Sequence, residues 1–137
     1  MDVVLTRGDT EAVSKNRSMV RGDYRAIDLT FKQTDGTVWD ITGWTIRLTI
    51  KDNPALADAS AILQKTITTH PFPSLGMAQI PILPANTIAV EPGEYFHDIQ
   101  VEIPAAGFAE IYTIERGRFA IGWGATGTYG TAGTAGT

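Results

Sequence analysis

The chain has 137 residues, of which 43% are hydrophobic and 19% charged, with no cysteine and a formal net charge of −4. That length supports one domain with its own core, and the composition is that of a globular chain rather than a disordered one. Disulfides and thiolate metal sites are excluded, and an acidic chain without a Lys/Arg cluster argues against binding nucleic acid or anionic lipid through phosphate.

In chain order, residues 1–19 open on Val3, Val4 and Leu5 and then turn polar through Arg7-Gly8-Asp9 and residues 14–18. They read as an arm, ending in an edge strand, that docks on the domain or on a neighbour. This start lacks the basic residues and long apolar stretch of a signal peptide, and no apolar run in the chain approaches the roughly 20 residues of a membrane span. From Tyr24 to Lys32, Ile27, Leu29 and Phe31 alternate with Asp28, Thr30 and Lys32, the period of a half-buried strand. Asp35-Gly36 is a tight-turn dipeptide, and residues 37–39 are expected to extend a returning strand. The clearest strand follows: Trp44, Ile46, Leu48 and Ile50 fall on one side, with Thr45, Arg47, Thr49 and Lys51 on the other. Gly43 suits a turn or bulge aiming that strand inward. The strand ends near Asn53-Pro54, because Pro lacks a ladder N–H.

Residues 55–61 are Ala-rich and read as a helical turn or loop, and residues 62–69 as a strand of undecided face. A strand over residues 76–83 turns Ile80 and Ile82 inward, and Pro81 within it argues for an edge or a bulge. Residues 84–90 are read as one helical turn, and Pro92-Gly93 as a turn. The strand over residues 95–103 faces Tyr95, Ile99, Val101 and Ile103 inward, and residues 104–107 form a hairpin loop. Residues 111–115 and 118–123 read as two strands broken at Arg116-Gly117. Many short strands punctuated by Gly and Pro, without a long helical period, predict an all-β sandwich or barrel. Trp44, Ile46, Leu48, Ile99 and Val101 are its expected core. Beyond Gly124 the sequence is almost entirely Gly, Thr and Ala, with too little apolar area to offset the entropy of ordering it alone.

The order of features from Arg21 to Trp123 resembles the immunoglobulin-like N-terminal domain of the phage baseplate upper protein family. The matching pieces are Gly22-Asp23, Asp35-Gly36, and Asp40-Ile41-Thr42-Gly43 leading into Trp44-Thr45-Ile46-Arg47-Leu48. Further on come Thr87, Pro92-Gly93-Glu94-Tyr95, His97-Asp98-Ile99 and Gly117-Arg118-Phe119. The resemblance implies an immunoglobulin-like antiparallel β-sandwich, assembly into symmetric multi-copy virion parts, and no catalysis. Baseplate upper proteins continue into long regions after this domain and none follows here. The expectation is therefore a tail, baseplate, connector or decoration component of the virion, made in the host cytoplasm. Three regions are expected: an N-terminal arm or edge strand at 1–19, the sandwich at 20–124, and a C-terminal arm at 125–137. Both ends are expected to find their main contacts in other subunits. The expected partners are copies of the chain and other virion proteins, with no nucleic acid, membrane or cofactor.

Several features invite sharper readings. Arg-Gly-Asp occurs at 7–9 and 21–23, the form of an integrin ligand, but a β-turn ahead of a strand selects Gly and Asp on its own account, and that reading is preferred. His97 and Asp98 are not an acid–base pair, because adjacent strand residues face opposite sides. With only His70 and His97, a histidine metal site has few ligands. Glu102, Glu110 and Glu115 read as solvated strand faces. No nucleophile elbow, P-loop or zinc spacing occurs, and Gly124-Ala125-Thr126-Gly127 lacks a phosphate-loop Lys. No catalytic, cofactor-binding or metal-binding residue is assigned, and no enzyme activity is expected. Tyr95 after Pro92-Gly93 has the placement of a tyrosine corner, whose hydroxyl bonds backbone upstream. Trp39 and Trp123 suit core or interface equally. The alternative function is an exterior adhesion or carbohydrate-binding module using exposed aromatics such as Tyr24, Phe72 or Tyr129.

Overall fold

A computed structural model describes residues 1–124; the Gly/Thr/Ala-rich segment 125–137, expected to be an intersubunit arm, lies outside the described residues. Nine strands form two sheets: β1 (Asp2–Val4), β2 (Val13–Ser14), β3 (Arg17–Val20), β4 (Arg25–Lys32), β5 (Thr45–Lys51), β6 (Leu63–Ile67), β7 (Met77–Ile82), β8 (Gly93–Ala105) and β9 (Phe108–Gly122). The smaller sheet has the order β1-β4-β7; the larger has β2-β9-β8-β5-β6, with β3 also on β9. Short 3-10 turns at Asp58–Ser60 and Pro73–Leu75 and one helical turn, α1 (Pro84–Thr87), complete the described residues.

The inward residues follow the alternation. Ile27, Leu29 and Phe31 of β4 and Ile80 and Ile82 of β7 meet Ile46, Leu48 and Ile50 of β5, Ile99 and Val101 of β8, and Phe119 and Ile121 of β9 in one buried cluster. At roughly 1.5–3 kcal/mol for each large apolar side chain removed from water, this cluster is the main stabilising term. Trp44 closes it at one end, edge-on to Phe31 at 5.5 Å, with Trp39 tilted against it at 5.9 Å. Trp39 thus belongs with the core, and its Nε1–H donates to the Leu5 carbonyl at 3.1 Å. Trp123 is 55% exposed. Pro81 sits on β7, an edge strand, where a missing N–H breaks no ladder. The protein is an all-β two-sheet sandwich whose main frame, from β4 to β9, pairs antiparallel.

Three local expectations are corrected. Residues 37–39 make only an isolated bridge, Lys32 to Val38. At the preceding turn Gly36 supplies the positive φ, 89°, while Asp35 acts through its carboxylate, accepting from the Thr37 amide at 3.0 Å and hydroxyl at 2.7 Å. The strand after the hairpin is continuous from Phe108 to Gly122 rather than broken at Arg116-Gly117.

The third correction concerns residues 1–19, expected to contact mainly other subunits. They lie on their own sandwich. β1 pairs with β4, and β2 and β3 pair with β9, all in parallel register. Val3, Leu5 and Met19 enter the core at 5%, 0% and 7% exposure. Burying three large apolar side chains offsets part of the ordering entropy, which is why this segment docks in cis.

Candidate functional site

A cluster of ionic contacts lies where the N-terminal segment meets β9. A β-bulge makes it. Ile99 pairs with Glu115 and Gln100 with Thr113, so Ile114 is the extra residue. Glu110, Tyr112 and Ile114 face inward before the bulge, and Glu115, Gly117, Phe119 and Ile121 after it. Ile114 and Glu115 are therefore buried side by side, at 2% and 0% exposure. The bulge corrects the expectation that Glu115 is a solvated strand face, while Glu110, ahead of the bulge, stays partly exposed.

Glu115 receives Arg17 of β3 in a two-point contact, Nε to Oε2 at 2.6 Å and Nη2 to Oε1 at 2.9 Å. The ring of His97 on β8 lies against the same carboxylate, Nε2 2.7 Å from Oε2, with Nδ1 3.1 Å from the Gly117 carbonyl. Both partners are acceptors, so the ring donates to both only when both nitrogens carry a proton. Phe119 packs edge-on to His97 at 5.5 Å. Burial works to raise the pKa of Glu115. The hydrogen bonds from His97 and Arg17, with the guanidinium charge, outweigh it and hold the carboxyl down to about 2. The Glu115 and His97 side chains are closed to solvent, so the trio is placed to hold β3 on β9.

Gly117 completes the seat. A Cβ there would stand 2.1 Å from the Lys15 carbonyl oxygen and 3.1 Å from Asn16 Oδ1, so only glycine admits the chain at 15–16. Asn16 Oδ1 in turn accepts from the Arg118 amide at 3.1 Å.

A second arginine clamp sits nearer the hairpin tip. Arg7 pairs with Glu110 through both carboxylate oxygens, Nε to Oε1 at 3.0 Å. The Tyr112 hydroxyl donates to the same Oε1 at 2.6 Å and accepts the Gly8 amide at 2.6 Å. The hydrogen bonds from Arg7 and Tyr112 hold the Glu110 carboxyl down to about 2. The Glu110 hydrogen bond raises the pKa of the Tyr112 hydroxyl.

His97 and Asp98 do face opposite ways, as alternation requires. His97 finds its carboxylate on the neighbouring strand instead. Glu102 lies within 3.9 Å of Arg47. The Tyr95 hydroxyl donates to the Glu91 carbonyl, the upstream backbone bond of a tyrosine corner. Both Arg-Gly-Asp tripeptides are turns with engaged arginines: Arg7 in the clamp above, and Arg21 donating to the Ile88 carbonyl at 2.7 Å and lying 5.0 Å from the Trp123 ring centroid. Tyr24 and Phe72 are each 57% exposed, and Tyr129 lies outside the described residues. Among the described residues no group of three or more His, Asp or Glu side chains is placed to hold a metal ion.

No protein-family model matches the chain, and no curated protein matches it. Among solved structures, it is similar to the N-terminal domain of phage TP901-1 ORF48, with a TM-score of 0.46 and 6% identity over 88% of this chain and 94% of that one.

Proposed function

We propose that the chain is a non-enzymatic structural protein of a bacteriophage particle that works by assembling with copies of itself and with other virion proteins. The observation that carries this reading is how the scattered motif residues meet. Gly22 donates its buried amide to Thr87 Oγ1 at 2.8 Å. His97 bonds the Gly117 carbonyl and packs on Phe119. Asp40 accepts from the Thr42 amide at 3.0 Å and its hydroxyl at 2.6 Å, setting the turn into Trp44. Pieces of the resemblance separated by 20 to 65 residues are thus bonded to one another. They are framework positions of one sandwich rather than a catalytic constellation, which is the pattern a shared scaffold leaves in a sequence.

The test is mass spectrometry of purified virions produced from the genome that encodes the chain, with quantification against a known structural protein. A fixed copy number per particle is the expected result. Absence from particles, or turnover of a substrate by the pure protein, overturns the reading.

A further inference from the structure

We propose that the outer face of the larger sheet carries a binding groove for a neutral oligosaccharide, centred on Asp98 and Arg116. These two residues are cross-strand partners on β8 and β9, with Thr49 opposite Asp98 on its other side. Two depressions of about 430 and 560 Å³ adjoin there, and both are lined by Asp98 and Arg116. Each is in the size range of small-molecule sites, roughly 300–1,000 Å³. The two halves differ in chemistry. The first is floored by Phe96 and Pro54, and the Arg118 guanidinium holds the Phe96 ring from one side, 5.3 Å from its centroid. The second presents Thr10, Glu11 and Thr113.

A sugar ring has an apolar C–H face and an edge of hydroxyls that both donate and accept. An aromatic floor beside a carboxylate, a guanidinium and the Thr49 and Thr113 hydroxyls answers both sides of it. A carboxylate offers about four acceptor sites and a guanidinium five donors, the two kinds of group a hydroxyl edge pairs with. Charge selects against other ligands. Lys51 and Arg116 are balanced by Asp98 and Glu11, so neither a polyanion nor a polycation is favoured. A peptide that adds as a strand needs a sheet edge, whereas this groove is walled by side chains of the sheet face and of the N-terminal segment. The inference stands apart from the assembly role: a particle component that binds no sugar would remove this proposal and leave the proposed function in place.

The test screens the full chain on an array of neutral and acidic oligosaccharides, then titrates the best-bound trisaccharide into 15N-labelled protein. The expected result is a neutral ligand whose titration shifts the amides of Thr49, Asp98, Thr113 and Arg116. Phe96→Ala and Arg116→Gln should each weaken binding about tenfold or more, while Tyr24→Ala and Phe72→Ala leave it unchanged. If Phe96→Ala does not fold, Arg116→Gln and the shift map on the natural chain still decide. No binding at millimolar sugar, preference for acidic sugars, capture of a peptide instead, or binding that depends on Tyr24 or Phe72 overturns the proposal.

Discussion

Two carboxylates of β9 each hold an arginine from the first 20 residues. Each is kept acidic, at about 2, by hydrogen bonds. By acidity alone the Arg17–Glu115 and Arg7–Glu110 clamps look alike. Their surroundings differ: the side chains of the first pair are 8% and 0% exposed, those of the second 45% and 18%. In the buried clamp the charges have left water, so each depends on its partner. In the exposed clamp water and salt replace whatever a lost partner supplied. The lesson is that a depressed pKa reports contact, while burial decides whether breaking the contact costs the fold anything.

The largest effect is expected from Arg17→Ala. It leaves Glu115 buried with His97 alone, and removing one partner of a buried pair costs about 3–5 kcal/mol. Denaturant unfolding measures it, and a loss below about 1 kcal/mol would dissolve the distinction between the clamps.

The pH dependence comes next. Folding lowers the Glu115 pKa from 4.5 to about 2, so the folded protein takes up this proton less readily than the unfolded chain. Its contribution is complete above about pH 4.5, shrinks as pH falls below that value, and is gone once pH passes about 2. At about 1.4 kcal/mol per tenfold change in proton affinity, it amounts to about 3 kcal/mol. Other carboxylates titrate in the same window, so the quantity to follow is the stability gap between the natural chain and Glu115→Gln. That gap should close between pH 5 and pH 2. A gap independent of pH would mean that ionised Glu115 is not what holds Arg17.

Gly117→Ala tests the same clamp from its backbone side. The added methyl meets the Lys15 carbonyl, so β3 must shift away from β9, at a cost of about 1–3 kcal/mol. Hydrogen exchange should show faster exchange at Met19, Arg21 and Lys15, whose segment pairs with β9, with β5 unaffected. Unchanged protection along residues 15–21 would show that the close approach is not needed.

How much of this was legible beforehand follows from the range of the interactions. Trp44, Ile46, Leu48, Ile99 and Val101 were readable as core because alternation is a local signal, and all five are buried. Pro81 was readable as an edge residue, and Tyr95 as a corner, because each acts within a few residues. Glu115 was not. Its burial comes from a bulge at Ile114 that no Gly or Pro marks, and unbroken alternation would turn it outward. Gly117 looked like a strand break because a glycine that ends a strand and one that admits a second chain segment read alike. The partners of Arg7 and Arg17 lie 103 and 98 residues away in sequence. Parallel edge pairing at that separation leaves no periodicity to find, so residues 1–19 read as an arm or edge strand whose main contacts were expected in other subunits.

The smallest effect is expected from Arg7→Ala, and it is the prediction on which the comparison turns. The variant removes a contact with two carboxylate oxygens, as Arg17→Ala does, and from the same strand, β9. If hydrogen-bond count set the energy, the two variants would cost alike. Arg7 keeps much of its surface in water, however, and the Tyr112 hydroxyl still donates to Glu110 when the guanidinium is gone. The loss should therefore be small beside that of Arg17→Ala, and what there is should fade between 0.05 and 1 M NaCl, as the screening length falls from more than 10 Å to about 3 Å. The Arg17→Ala loss should hardly move with salt, because its charges are out of reach of counterions. Thermal unfolding of both variants at the two salt concentrations measures this directly. Equal losses, or a salt-sensitive Arg17→Ala, would mean that exposure does not separate the clamps and that Arg7 fastens residues 1–19 as firmly as Arg17.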